Sequence, residues 1–275
     1  KLRKSLGLFA NIRPVKAYDT LLDKSPLRKK NIKGTDISIY RELTGGIYFG
    51  EKKLSADGNT ASDLCIYSRY EIERIAHLAF KASQSRRNKV TLIDKANVLE
   101  SSRLWRKVVT EVSKKYPSVE LDYLFVDNAA MQMILNPTQF DVILTENMFG
   151  DIISDEASVI GGSIGLLASA SVGEKYAMFE PIHGSYPQAT NKGIANPIAS
   201  IFAWTRGLEF RGKLDNNQEL INFCHALEKV CVDVVESGRM TKDLAVCIHG
   251  NKVEHGKHYL YTEEFLDAID AQLKE

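Results

Sequence analysis

The sequence is poor in cysteine, with four among 275 residues: Cys65, Cys224, Cys231 and Cys247. None of them forms a CxxC pair, which argues against a thioredoxin-type redox site, a zinc ribbon and a dense disulfide framework. Cys224 and Cys231 fall on an apolar stripe of helical spacing, so we interpret them as small core residues. This use of cysteine favours a reducing compartment and predicts a cytoplasmic protein.

The sequence also lacks a charge excess and a long apolar run. Its 36 Lys and Arg residues nearly balance 35 Asp and Glu residues, so the net charge of +1 offers no general attraction for nucleic acid or an anionic membrane. The longest uncharged stretch, residues 157–173, is too short for a membrane-spanning helix and is rich in Gly and Ser. We therefore expect a folded globular protein with neither nucleic acid nor a membrane as its partner.

Between residues 69 and 160, short apolar or β-branched runs alternate with longer segments of helical period. The predicted order is a helix over 69–85, a strand over 89–94, a helix over 102–114, a strand over 121–127, a short helix over 129–134, a strand over 140–145 and a helix over 151–160 that follows Gly150. The alternation predicts βαβ units and an α/β fold. After Gly161 the pattern changes to a strand (YAMFEP), a Gly/Pro/Asn-rich loop to Pro197 and three helical segments, so we place a domain change there.

Charged residues recur where the predicted strands end. Lys95, Asp127 and the loop 146–151 stand at such ends, where open α/β sheets bind their ligands. Asp151 and Asp155 are four residues apart, so on a helix both carboxylates project from one face. With Asp127 they would offer the hard oxygen ligands that Mg²⁺ or Mn²⁺ prefers. The alternative is that Asp151 and Asp155 are solvated acids on a helix surface.

Arg3, Arg13 and Arg41 lie within the first 41 residues, and Arg13 and Arg41 stand in apolar, strand-like runs. The three guanidinium groups together could bind a substrate with two carboxylates. The alternative is that they are exposed side chains on edge strands.

Two further residues could transfer protons. Tyr48 follows the Gly45–Gly46 pair and supplies a phenol, unless it is a structural aromatic. Lys95 follows a strand that should be buried, so it could act as a base; the alternative is a surface pair with Asp94. Residues 180–197 (EPIHGSYPQATNKGIANP) form a loop that could wrap an adenine nucleotide, although the chain has no GxGxxG fingerprint.

Seven segments in this order resemble the β-decarboxylating dehydrogenases of the isocitrate/isopropylmalate family. They are LRKSLGLFANIRP, RELTGGIYFGE, DKANVLE, FVDNAAM, FGDIISDEAS, GSIGLLASAS and EPIHGSYPQATNKGIANP. The second and third are similar to the isopropylmalate branch. The resemblance implies a two-domain α/β fold with mixed sheets flanked by helices. It also implies oxidative decarboxylation of 3-isopropylmalate to 2-oxoisocaproate in leucine biosynthesis, with NAD and Mg²⁺ or Mn²⁺ as cofactors.

The resemblance also implies a role for each matching residue. Arg3, Arg13 and Arg41 would bind the substrate's carboxylates, Lys95 would be the base, and Tyr48 the acid that protonates the product carbon. Asp127, Asp151 and Asp155 would bind the metal, Asp127 also contacting the substrate. Residues of the late loop would bind NAD, namely His183, Gly184, Ser185, Gln188, Ala189 and Asn196. Members of the family are homodimers with shared active sites, so Lys95 and Asp127 would serve the partner's site and residues 41–68 would include an intersubunit arm.

By the same resemblance, residues 1–8 and 162–275 form the nucleotide-binding domain and residues 9–161 a central domain for substrate, metal and dimerisation. Two features depart from the family. Its members extend further upstream, and the segment that reads the substrate's branched side chain would end just before Lys1. Gln188 stands where many NAD-using members carry an acidic residue. A preference for NAD over NADP is therefore implied by the isopropylmalate branch and not by this residue. No basic residue stands at 188 or 189 to meet a 2′-phosphate, and Lys192 is the nearest cation. The open alternatives are a sibling enzyme for isocitrate, homoisocitrate, tartrate or malate, and a non-catalytic dimerising fragment.

Overall fold

The computed structural model describes residues 2–161 and 166–274, with the backbone alone for Thr20 and Lys24. Within this part of the chain, nine strands form one large sheet and one hairpin. The strands are β1 (Ala10–Lys16), β2 (Asp36–Glu42), β3 (Lys52–Leu54), β4 (Ala61–Asp63), β5 (Lys89–Asp94), β6 (Glu120–Phe125), β7 (Val142–Thr145), β8 (Ala168–Val172) and β9 (Ala177–Pro181).

Ten α-helices connect and cover these strands in the described ranges. They are α1 (Leu2–Ser5), α2 (Lys29–Ile32), α3 (Arg69–Gln84), α4 (Glu100–Ser113), α5 (Val126–Leu135), α6 (Asn147–Ser158), α7 (Ile198–Asp215), α8 (Gln218–Glu236), α9 (Lys242–His249) and α10 (Thr262–Leu273). Short 3₁₀ turns occur at Asp19–Lys24, Gly46–Tyr48, Pro137–Gln139, Val159–Gly161 and Pro187–Ala189.

The large sheet has seven strands in the order β6-β5-β7-β2-β1-β8-β9. Strands β6, β5, β7 and β2 are parallel, whereas β1, β8 and β9 pair antiparallel to their neighbours. The α/β fold with a mixed sheet flanked by helices is therefore confirmed. The pair β3–β4 forms a separate hairpin whose residues are all exposed.

Successive side chains along the parallel strands point to opposite faces of the sheet, so the core lies in two layers. Leu92 points to the face covered by α3 and α4, where Phe80 and Trp105 are buried. Ile93, the next residue, points to the opposite face, where it joins Ile153 of α6 in a second cluster. Because both faces are covered, the parallel strands are continuous apolar runs, which is why they stand out in the sequence.

The C-terminal helices bury a third cluster around Phe265 and Leu244. Cys224 and Cys231 are both buried, as predicted from the apolar stripe, and none of the four cysteines is in a disulfide bond. The expectation of three helical segments after Pro197 is wrong, since α7, α8, α9 and α10 follow it. A break at Gly238, where φ is +89°, separates α8 from α9.

Two predicted boundaries are also wrong. The strand predicted over 121–127 ends at Phe125, and Asp127 lies in the first turn of α5. The helix predicted from Asp151 begins earlier, at Asn147, because the side chain of Glu146 accepts a hydrogen bond from the Phe149 amide and caps the helix there.

The domain boundary between residues 161 and 162 remains a prediction. Residues 162–165, the start of the GSIGLLASAS segment, lie outside the described residues, as does Lys1. Strand β8, which follows the proposed boundary, pairs directly with β1 over Ala10–Ile12. Hydrogen bonding in the sheet therefore continues from one proposed domain to the other. Within residues 2–161 and 166–274, no helix is both long and apolar enough to span a membrane.

Candidate active site

Strands β1 and β2 place two arginines on the same face of the sheet. Asn11 of β1 stands directly opposite Arg41 of β2, and Arg13 is two residues further along β1. Side chains two residues apart in a strand share a face, and so do opposed cross-strand partners. Helix α6 lies against this face and carries Asp151 and Asp155, so the site brings together two arginines and two carboxylates.

Arg41 is the more deeply placed of the two arginines, with 6% of its surface exposed. Its Nη1 lies 2.5 Å from Asp151 Oδ1, an ion pair. Burial lowers the pKa of Arg41, and the negative charge of Asp151 opposes this. The alternative of an exposed side chain on an edge strand is therefore wrong for Arg41, because β2 lies inside the sheet between β7 and β1.

Arg13 binds the second carboxylate. Its Nη1 lies 2.8 Å from Asp155 Oδ1 and 2.7 Å from the hydroxyl of Ser154, and its Nη2 lies 3.8 Å from Asp151. Asp155 itself is 70% exposed. Each aspartate thus faces solvent on one side and an arginine on the other.

Tyr48 completes this cluster. Its hydroxyl donates to Asp151 Oδ2 at 2.8 Å, and its ring lies 5.6 Å from the Arg41 guanidinium carbon. Burial, followed by the hydrogen bond to Asp151, raises the pKa of Tyr48, so the phenol holds its proton firmly. The ring is half exposed and is not a core aromatic.

The turn before Tyr48 is shaped by Gly46, whose φ is +75°. A Cβ on Gly46 would lie 2.2 Å from the hydroxyl of Tyr67, so no larger residue fits. The buried carboxylate of Glu42 accepts hydrogen bonds from the amides of Thr44 and Gly45 and pairs with Arg74. The turn that presents Tyr48 is therefore held from beneath by buried polar groups.

Lys95 and Asp127 form a separate pair. Lys95 Nζ lies 2.5 Å from Asp127 Oδ1, and this hydrogen bond lowers the pKa of Asp127. The alternative of an Asp94–Lys95 surface pair is wrong, because Asp94 is buried and binds Arg106 through two hydrogen bonds of 2.9 Å.

One chain does not gather the three predicted metal ligands. Among residues 2–161 and 166–274, no group of three or more His, Cys, Asp or Glu side chains is arranged to hold a metal ion. Asp151 and Asp155 fit Mg²⁺ or Mn²⁺ by the chemistry of their oxygens, and a third ligand would have to come from elsewhere. That Asp127 of a partner subunit supplies it remains a prediction.

Arg3 is not brought to the other two arginines. It lies on the short helix α1, and its Nη2 pairs with Glu180 of β9 at 2.5 Å. Strand β8 separates β9 from β1 in the sheet, and both side chains of this pair are partly exposed.

The predicted nucleotide loop is open to solvent and rich in polar groups. The residues predicted there are partly or fully exposed except for buried Ala189: His183, Gly184, Ser185, Gln188 and Asn196. The Asn196 amide donates to Asp243 of α9 at 3.0 Å, and its oxygen caps the amide of Ile198. Exposed backbone and amide groups fit the donors and acceptors of an adenine nucleotide.

Comparison with known proteins decides the family. A family model described as isocitrate/isopropylmalate dehydrogenase matches residues 1–269. The chain belongs to this family. It is 53% identical over 245 residues to 3-isopropylmalate dehydrogenase of Wolinella succinogenes, covering 89% of this chain and 66% of that protein. It is 50% identical over 276 residues to the protein of that name from Carboxydothermus hydrogenoformans, covering 99% and 70%.

Two solved structures agree with the fold. A crystal structure of isocitrate dehydrogenase from Methylococcus capsulatus matches with a TM-score of 0.84 and 32% identity, covering 100% of this chain and 76% of that one. The TT0538 protein of Thermus thermophilus also gives 0.84, with 28% identity, covering 100% and 52%. The chain thus spans about two thirds of the length of the curated relatives it matches first.

Some residues of this family member's site were not foreseen. Asn11 and Asn147 hold the two arginines, and Ser154 accepts from Arg13. Asn147 falls in the segment 146–151, which was predicted as a loop at a strand end and is instead the N-cap and first turn of α6. Nothing in the local sequence signals that Asn11 contacts Arg13, since an asparagine inside a strand is simply unfavourable by propensity.

Gly150 lets α6 approach the site closely, and we expect its replacement to loosen this packing. A Cβ at this position would lie 2.7 Å from Cγ of Arg41 and 3.0 Å from Cγ2 of Thr145. Gly150→Ala should therefore lower the free energy of unfolding by about 1–3 kcal/mol, the usual cost of overpacking. Thermal unfolding measures this. Gly184→Ala is the control for stability, since its Cβ would meet nothing within 4 Å; equal melting temperatures for the two variants would contradict the expectation.

Proposed function

We propose that the protein catalyses NAD-dependent oxidative decarboxylation of 3-isopropylmalate to 2-oxoisocaproate and CO₂, a step of leucine biosynthesis. The observation that carries the proposal is the cluster in which Arg13, Arg41 and Tyr48 face Asp151 and Asp155. Such a cluster offers cations for a dicarboxylate beside oxygen ligands for a divalent metal. Relatives that are 46–53% identical to the chain are named 3-isopropylmalate dehydrogenase, which supports this substrate over isocitrate.

The arginines bind the substrate's two carboxylates. Arg13 and Arg41 are already aimed at carboxylates, those of Asp155 and Asp151, at 2.8 and 2.5 Å. A substrate carboxylate would replace an aspartate as the partner of each arginine, and Asp151 and Asp155 would then bind the metal ion. Arg3 is the third arginine of the proposal, and its half-exposed guanidinium would leave Glu180 to reach the same ligand.

Two residues of the chain move protons. Lys95 Nζ, in its neutral form, accepts the proton of the substrate's hydroxyl. The Tyr48 hydroxyl gives its proton to the carbon that has lost CO₂, and its raised pKa fits a group that must stay protonated until that step. Asp127, paired with Lys95, orients that amine and contacts the substrate.

Two cofactors complete the proposal. Mg²⁺ or Mn²⁺, held by Asp151 and Asp155 with Asp127 of the partner subunit, would stabilise negative charge on the substrate's hydroxyl oxygen, and NAD would accept the hydride. The exposed loop with His183, Gly184, Ser185, Gln188, Ala189 and Asn196 would bind NAD. The similarity to the isopropylmalate branch favours NAD over NADP, and neither Gln188 nor Ala189 offers a positive charge to a 2′-phosphate.

We also propose a homodimer with shared active sites. Helices α5 and α6 pack together and, with the 3₁₀ turn that follows α6, present a band of exposed apolar side chains: Met131, Ile134, Leu135, Ile152 and Val159. Apolar patches of this kind mark protein interfaces. The pairs Lys95–Asp127 and Asp151–Asp155 are separate in one chain, which fits a site completed by a second subunit. The hairpin β3–β4 with exposed Leu54 suits the intersubunit arm proposed within residues 41–68.

A charge in this apolar band should break the dimer. Ile152→Glu places a carboxylate at a 58% exposed position of α6, where it would be desolvated in the interface. We expect a monomer by light scattering and at least about a 100-fold loss of activity, because half of each site is removed. Leu266→Glu on α10 is the matched control and should remain dimeric. A dimeric Ile152→Glu variant would refute this interface.

The domain assignment remains part of the proposal, with residues 1–8 and 162–275 binding the nucleotide and residues 9–161 binding substrate, metal and partner. A cytoplasmic location is supported by the four cysteines, none of which is in a disulfide bond.

The substrate proposal is tested with a panel of acids. The protein is assayed with 3-isopropylmalate, isocitrate, homoisocitrate, tartrate and malate, each with NAD and with NADP. We expect the highest kcat/KM for 3-isopropylmalate with NAD. A higher value for another acid would assign the protein to a sibling activity, and no turnover with any of them would favour a non-catalytic dimerising role.

A further inference from the structure

Each arginine on the sheet face is held at its Nε by a buried asparagine. Asn11 Oδ1 accepts from Nε of Arg13 at 2.9 Å. Asn147 Oδ1 accepts from Nε of Arg41 at 3.0 Å and from its Nη2 at 2.7 Å. Both asparagines are 1% exposed. The two contacts repeat the same arrangement on different elements, Asn11 within β1 and Asn147 at the start of α6.

The other end of each amide is tied to a backbone carbonyl. Asn11 Nδ2 donates to Ala170 O at 3.3 Å, and Asn147 Nδ2 donates to Gly45 O at 3.1 Å. An arginine has donors only, so the amide oxygen must face it and the amide nitrogen must face the carbonyl. This fixes the orientation of both amides from their partners. Asparagine is the residue that supplies both an acceptor and a donor at this length.

With Nε held, Nη1 of each arginine faces the ligand side of the site. Nη1 of Arg13 points at Asp155 and Nη1 of Arg41 at Asp151, both on one face of α6. A free arginine side chain populates many rotamers, which it must give up when it binds a ligand. The asparagines remove much of that cost before the ligand arrives.

We propose that Asn11 and Asn147 are positioning residues, which hold Arg13 and Arg41 ready for the two carboxylates of the substrate. The inference rests on the proposed function for the identity of the ligand. Asn147 also links Arg41 to the turn before Tyr48 through Gly45 O. The same side chain therefore positions both the substrate-binding arginine and the proton donor. Tyr67 supports this arrangement, because its hydroxyl accepts a hydrogen bond from the backbone N–H of Asn147 at 2.9 Å.

The first test is the kinetics of Asn11→Ala and Asn147→Ala. We expect KM for 3-isopropylmalate to rise about tenfold or more in each, the usual effect of losing a hydrogen bond to a charged group. Because Arg13 binds the substrate equally before and during the reaction, kcat of Asn11→Ala should change by less than about threefold. In Asn147→Ala, kcat should fall as well, because Asn147 also holds the turn that positions Tyr48. Thr205→Val is the matched control: it removes a buried hydrogen bond of 2.6 Å to Glu228 on α7–α8, away from the site, and should lower stability without raising KM.

The second test reads the arginines directly. In ¹⁵N spectra of the wild-type protein, the Nε–H groups of Arg13 and Arg41 should exchange slowly with water. Asn11→Ala should abolish this protection for Arg13 alone, and Asn147→Ala for Arg41 alone. If Asn147→Ala does not fold, Asn147→Asp keeps the acceptor oxygen and the volume; it should keep the Arg41 Nε–H protected while raising KM, because its charge offsets the guanidinium.

The outcomes separate the two proposals. If wild-type protein turns over 3-isopropylmalate and the alanine variants raise KM no more than Thr205→Val does, the positioning role is refuted while the function stands. Unchanged protection of both Nε–H groups in the alanine variants would refute it as well. If wild-type protein does not use 3-isopropylmalate, the proposed function fails, and the spectra still decide whether the asparagines hold the arginines.

Discussion

Lys95→Met should lower kcat by about 10²–10⁴-fold, the usual contribution of a positioned general base. The methionine side chain has similar length and no basic nitrogen, so it removes the proton acceptor while preserving most contacts. The fold should persist, because the Lys95–Asp127 pair lies at the surface of the chain, where ion pairs contribute little to stability. Steady-state kinetics with 3-isopropylmalate and a thermal unfolding curve measure both effects.

Lys107→Met on α4 is the matched control for Lys95→Met. Lys107 is exposed on the neighbouring helix and takes no part in the proposed site, so its replacement should leave kcat near the wild-type value. A kcat for Lys95→Met within about threefold of this control would refute the assignment of Lys95 as the base.

Asp151→Asn should weaken divalent metal binding and lower activity at least about 100-fold, because an amide oxygen is a poorer ligand for Mg²⁺ or Mn²⁺ than a carboxylate. The asparagine keeps an oxygen that can accept from Arg41 or Tyr48, so the local packing should survive. Titration with Mn²⁺ followed by EPR measures the metal affinity without any turnover, and kcat measures the activity.

Asp122→Asn provides the comparison for Asp151→Asn. Asp122 lies on β6 and faces Lys89 at 3.7 Å, outside the cluster of Arg13, Arg41 and Tyr48. We expect wild-type Mn²⁺ binding and activity from it. If Asp151→Asn binds Mn²⁺ as tightly as Asp122→Asn does, Asp151 is not a metal ligand and the metal site lies elsewhere.

The sequence was most informative where structure depends on neighbouring residues. The helix predicted over 69–85 is observed at Arg69–Gln84, and the strand over 89–94 matches β5. The helix begins with a capping box in which Ser68 and Glu71 satisfy each other's backbone amides, a wholly local signal. Apolar periods of 3.6 and continuous buried runs are equally local.

The misplacement of Asp127 shows where local patterns fail. The apolar run LDYLFVD contains nothing that marks the end of a strand. Strand β6 ends where its pairing with β5 ends, at Phe125 opposite Asp94, and Val126 then begins α5. The length of this edge strand is thus set by a partner strand about thirty residues earlier in the chain. A short stretch of sequence around Asp127 does not include that partner.

The site was predictable in its charged residues and not in what holds them. Arginines inside apolar runs and paired aspartates are unusual enough to notice, and Arg13, Arg41, Asp151 and Asp155 do meet. The hydrogen bond between Asn147 and Arg41 joins residues 106 positions apart and depends on α6 packing over β2. The division between Lys95–Asp127 and Asp151–Asp155 likewise follows from the tertiary fold alone.

The most direct test of the central claim is to measure NADH and CO₂ together, with 3-isopropylmalate and Mn²⁺ present. We predict one CO₂ released for each NADH formed, loss of both products on adding EDTA, and recovery of both when excess Mn²⁺ is restored. NADH formed without CO₂, or turnover that continues in EDTA, would contradict a metal-dependent oxidative decarboxylation at this site.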